Sequence, residues 1–171
     1  MSWNRALLVL VGCVSLSCFA QNAVGPAPET SDTKLAISKR TWSPIFATIN
    51  LDNGIQGRPV KQEDFQRVNE RFYQMYAEYL EEPELLLQEK MYRTAVGRKV
   101  GESMVRALFG FQSFTLKYED FSKAEQDEWE FFARANHVQV QQLDSKMKGF
   151  PDFIRSKLAQ KDQTSKQDSL R

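Results

Sequence analysis

The chain has few of the side chains from which most enzyme sites are built. It carries one histidine, His137, and two cysteines, Cys13 and Cys18, both close to the N-terminus. If that segment is removed on export, the remaining chain has no disulfide, no thiol nucleophile and no second histidine to complete a zinc site. No glycine loop of the phosphate-cradling kind is present. Charge of one sign is also lacking: 23 basic against 22 acidic side chains leave a formal +1, which falls close to zero without Arg5. Nucleic acid needs a basic field, so it is excluded as a partner. No Asn-x-Ser/Thr acceptor occurs, which accords with a bacterial envelope.

Long apolar runs are absent too. The run at 6–16 is shorter than the roughly 20 residues a bilayer span requires, and no transmembrane span is expected in the mature chain. With Arg5 before it and the small residues Cys18 and Ala20 after it, the opening reads as a secretory signal at 1–20. Cleavage after Ala20 would leave Gln21 first, in the periplasm or secreted. The alternative is a lipoprotein signal, with Cys18 acylated and the chain lipid-anchored. Leu10-Val11-Gly12-Cys13 resembles a lipobox, but its position within the apolar run disfavours it.

Phenylalanine is plentiful. There are twelve, one of them Phe19, so the mature core is expected to be rich in aromatic rings. Residues 21–40 contain Pro26, Pro28, Glu29, Thr30 and Ser31 and read as a flexible linker. A helical domain spans 41–160, and 161–171 should be a disordered tail. Over 41–60, Trp42, Ile45, Phe46, Ile49, Leu51 and Ile55 are interrupted by Pro44 and by Asp52-Asn53-Gly54. An irregular segment that docks its aromatic residues is expected there, with a hairpin as the alternative. At 62–80, Phe65, Val68, Phe72, Met75, Tyr76 and Tyr79 recur at spacings of three and four, a clear amphipathic helix. Pro83 then opens a helix over 84–94.

Residues 96–118 are apolar around most of a helical wheel and predict a buried central helix. Gly97 and Gly101, one turn apart, would admit a close neighbour. Ser122 and Glu125 form a capping-box pattern that starts a helix running to about Lys148. Trp129, Phe131, Phe132, Ala135, Val138, Val140, Leu143 and Met147 are expected on its inner side. Glu128, Asn136, Gln139 and Gln142 intrude into that arc and mark a partly exposed seam. A short final helix with Phe150, Phe153, Ile154 and Leu158 should close the bundle. The fold expected is therefore all-α: a single-domain bundle of four to five helices packed around a central one, with an irregular aromatic-rich N-terminal segment.

Tyr92-Arg93-Thr94-Ala95-Val96-Gly97-Arg98-Lys99 resembles the signature of a bacterial family of unknown function, small periplasmic helical proteins with an aromatic pair, Ser/Thr-Pro and Gly-x-Lys. Met91 stands where the first aromatic is usual, and Ala95 where proline is. The resemblance implies export and a helical fold, and it implies no activity.

No catalytic residue, metal ligand or cofactor site is nominated. The function expected is a non-enzymatic module that binds an unidentified protein or envelope component; oligomeric state is left open. One alternative is a helical carrier of an apolar ligand, motivated by the phenylalanines. Another is a hydrolase or lyase using His137 or surface carboxylates such as Glu81/Glu82 and Glu125/Glu128. Helix-start acids and a solvated histidine explain those residues more simply.

Overall fold

The computed structural model describes residues 32–157. The signal segment with Cys13 and Cys18, the linker before Asp32, Leu158 and the C-terminal tail lie outside them. Within the described residues the protein is an all-α bundle: α1 Asp32–Phe46, α2 Gln62–Tyr79, α3 Glu82–Arg93, α4 Ala95–Leu108, α5 Lys123–Ala135 and α6 His137–Met147. Residues 150–157 are helical as well.

The bundle turns on α1, part of which falls in the stretch expected to be a linker. Ordered helix begins at Asp32 rather than near Trp42. The buried face of α1 is Ile37, Ser38, Thr41, Trp42, Ile45 and Phe46, a helical stripe in which two hydroxyl residues take the place of apolar ones. The Thr41 hydroxyl donates to the Ile37 carbonyl at 2.8 Å, so its burial leaves no donor unpaired. Pro44 sits inside the helix and removes one backbone hydrogen bond, at a cost of about 3 kcal/mol. Burying Trp42, Ile45 and Phe46 returns about 1.5–3 kcal/mol for each side chain, and the helix survives.

Trp42 has no accessible surface and meets Phe72 and Tyr76 of α2 edge-on at 5.1 and 4.8 Å, and Tyr92 of α3 at 4.8 Å. α2 and α3 pack on α1, and α4 closes against α1 and α3. α2 follows its sequence pattern, burying Phe65, Val68, Phe72, Met75 and Tyr76. Phe150 then covers Tyr76 at 5.1 Å, so the final helix closes the bundle as expected.

The buried helix expected over 96–118 ends at Leu108. Gly110 adopts φ +71, the left-handed conformation at which a helix terminates. The chain leaves extended, and Phe111 pairs with Ile55 as an isolated bridge. Ser103 ties the departing strand-like segment back, its hydroxyl donating to the Phe114 carbonyl at 3.0 Å. Around 49–60 no hairpin forms. Within that stretch the one bridge is Ile55 with Arg58, around a turn in which Gln56 has φ +51 and Gly57 φ +77.

Two further breaks delimit the helices. Thr94 (ψ 152) separates α3 from α4 and caps α4, its hydroxyl accepting from the Gly97 N–H at 3.0 Å. Asn136 (φ −125, ψ 24) divides the long helix expected over 122–148 into α5 and α6. Its side-chain amide donates back to the Phe132 carbonyl at 2.9 Å. Among the described residues no helix is long and apolar enough to cross a membrane.

The close approach expected at Gly101 is present: a Cβ there would lie 2.7 Å from Ile45 Cδ1 and 3.4 Å from the Tyr92 ring. Gly101→Leu should therefore destabilise the protein by about 1–3 kcal/mol through overpacking, read as a lower midpoint in urea unfolding. An unchanged or higher midpoint would mean that α1 and α4 do not meet at this position.

Candidate functional site

Of the carboxylates nominated for acid–base work, Glu81, Glu125 and Glu128 serve helix starts, while Glu82 is the exposed first residue of α3. Glu81 and Glu84 form a capping box at the start of α3, the Glu81 N–H donating to Glu84 Oε2 at 2.7 Å. Ser122 and Glu125 do the same for α5, with the Ser122 N–H and hydroxyl both donating to Glu125 at 2.8 Å. These donors hold the Glu125 carboxyl below its ordinary range. Glu128 accepts from the Ala95 N–H at 3.2 Å, placing a negative charge at the positive end of the α4 dipole. His137 is exposed at the first position of α6. Glu130 turns to Arg134 at 2.9 Å and accepts from the Tyr118 hydroxyl at 3.2 Å. No group of three His, Cys, Asp or Glu side chains among the described residues is arranged to hold a metal ion.

Two polar groupings, one at the edge of the core and one inside it, have no signal in the sequence. Glu89 of α3, its side chain 8% exposed, receives Arg40 Nε at 2.5 Å and Nη2 at 2.7 Å, and Arg93 Nη2 at 2.6 Å. Arg40 lies 49 residues away, on a helix where a linker was expected. Deeper still, Gln88 is buried beside Tyr76 and Tyr92. Burial raises both tyrosine hydroxyls well above their ordinary range. These rings are neutral at every physiological pH and act as packing.

A groove of about 390 Å³ runs between α1, the following loop and α2. Phe46, Ile49, Leu51 and Phe65 supply its apolar lining, Ser43, Asn69 and Tyr73 its polar one, and the Lys39–Glu70 ion pair stands on its rim at 2.7 Å. Burial pushes Tyr73 up to about 12, against the opposing effect of the Ser43 hydroxyl.

The departure from ordinary burial lies on α5. None of its residues is buried, although it carries Trp129, Phe131 and Phe132. Trp129 and Phe132 lean together at 5.9 Å, half-buried, on the side towards α4. Phe131 and Val138, expected on the inner side, point outward at 78% and 48% exposure. Ala124 and Ala135 are exposed on the same side of the helix. The expectation fails because Asn136 shifts the helical phase and because Glu128 takes the α4-facing position. Glu128, Gln139 and Gln142 are exposed, as the seam expected from those polar intrusions requires. Phe131 thus stands open to solvent among charged side chains.

The buried cluster has a pH signature. Hydrogen bonds from Arg40 hold the Glu89 carboxyl below its ordinary value of 4.5, against the effect of burial, and Arg93 adds to the lowering. The stabilisation is therefore fully present above the ordinary carboxylate range and is lost as pH falls through the depressed value. In urea unfolding, Glu89→Gln should lose less stability than the unsubstituted protein between about pH 5 and pH 3; equal losses would contradict a buried, ionised Glu89. No protein-family model, curated protein or solved structure matches this chain.

Proposed function

We propose that this chain is an exported, non-enzymatic interaction module of the bacterial envelope, and that its contact surface is the outer face of α5 with the first turn of α6. The observation that carries the proposal is Phe131, 78% exposed on a helix that buries none of its residues. Solvent-exposed aromatic rings of this size are characteristic anchors of protein–protein contacts. Export is supported by Arg5, the apolar run behind it and the small residues before Gln21, with acylation at Cys18 as the alternative. The resemblance around Tyr92–Lys99 supports the same location.

The other two readings have less support. Of the carboxylates that a hydrolase or lyase would use, Glu81, Glu125 and Glu128 are engaged at helix starts. The rings that suggested an apolar cargo, among them Phe46, Phe72, Phe109 and Phe150, are packed edge to face against one another.

Site-specific photo-cross-linking in the native envelope tests the proposal. A photoreactive phenylalanine analogue at position 131 should form a discrete protein adduct, and the same analogue at Lys90, exposed on the polar side of α3, should not. No adduct at 131, or equal adducts at both positions, would contradict it.

A further inference from the structure

We infer that the occupant of the α5 face is a second copy of this chain, laid antiparallel along it. The inference rests on the proposed contact surface and adds who sits there. Ala124, Asp127, Phe131, Arg134 and Ala135 are all exposed and recur at helical spacing on one side of α5. At 100° per residue, Asp127 and Arg134 fall on one flank of Phe131, one turn before it and one turn after. Ala124 and Ala135 fall on the other flank, where Glu128 also lies with its carboxylate turned to the Ala95 N–H.

The pattern is self-complementary in one orientation only. Antiparallel pairing about a two-fold axis that passes between residues 130 and 131 brings Arg134 of each copy against Asp127 of the other, giving two equivalent ion pairs beside the two Phe131 rings, which meet at the axis. Parallel pairing about a two-fold axis would set the flank that carries Asp127 and Arg134 against the opposite flank of the other copy, and the ion pairs would not form. A closed two-fold contact uses one patch twice, as this one would.

Both charged groups are free to exchange partners at small cost. Asp127 pairs with Lys123 at 2.7 Å and Arg134 with Glu130 at 2.9 Å, but these are helix-surface pairs with Arg134 81% exposed, worth little individually. The side of α5 turned to the bundle is already occupied, with Phe132 packed against the core. A 13-residue helix is only about 20 Å long, so the contact is smaller than the roughly 800 Å² per partner of a standard interface. The dimer is therefore weak and concentration-dependent.

Sedimentation velocity over a concentration series tests this with four proteins. The unsubstituted chain should move from one-chain to two-chain mass as concentration rises. Phe131→Ser should stay at one-chain mass, with its far-UV spectrum and thermal midpoint unchanged. Asp127→Arg and Arg134→Asp should each raise the dissociation constant about tenfold or more, because each places like charges together. An equimolar mixture of those two variants should dimerise again, since each pairs with the other's reversed charge. Monomer at every concentration, dimer persisting in Phe131→Ser, or a mixture no tighter than its components would overturn the inference. A monomeric chain that still gives a cross-link at position 131 would remove the second copy and leave the contact surface standing; loss of both would remove the surface itself.

Discussion

Everything in this fold depends on the enclosure of Trp42. An indole with no accessible surface needs neighbours on all sides, and α1, α2 and α3 supply them through Phe72, Tyr76 and Tyr92. Edge-to-face pairs of this kind add about 0.5–1.5 kcal/mol beyond area burial. The network continues through Phe46 to Phe65, Tyr73 and Phe109, and through Tyr76 to Phe150. Elements far apart in the chain are held by one connected set of rings. The same packing explains why Gly101 must remain small: α4 reaches this cluster only by lying directly on Ile45 and Tyr92.

Where the chain obeys one physical rule at a time, its structure was legible beforehand. α2 shows apolar residues at helical spacing and is a helix with those residues buried. The capping box at Ser122 and the proline at the start of α3 mark true helix starts. Failures occur where two rules compete. In α1 the buried stripe includes Ser38 and Thr41, so the periodicity is hidden, and Pro44 argues against a helix that burial nevertheless enforces. After Leu108 the apolar pattern continues unbroken, but Gly110 takes a left-handed conformation and Phe111 finds its place beside Phe65 from an extended segment rather than a helix.

The exposed face of α5 was half legible. Polar residues within the apolar arc of α5 and α6 pointed to exposure of that helix, and Glu128, Gln139 and Gln142 are exposed. Which phenylalanine faces out depends on the break at Asn136 and on the hydrogen bond from Ala95 to Glu128, and no local pattern encodes either. The Arg40–Glu89 pair is invisible for a related reason, since it exists only because α1 and α3 pack together. The protein thus separates two tasks: α1 to α4 and residues 150–157 form the packed body, while α5 lies on α4 by caps and half-buried rings and keeps Phe131 outside.

That separation has a direct measure in native-state amide hydrogen exchange, because segments with few buried contacts open without global unfolding. The amides of Trp42 and Ile45 in α1, and of Phe72 and Tyr76 in α2, should exchange only through global unfolding and share one opening free energy. Those of Trp129 to Phe132 in α5 should exchange far faster, through local opening insensitive to low denaturant. Protection in α5 equal to that around Trp42 would contradict the account, because it would place α5 inside the cooperative core instead of upon its surface.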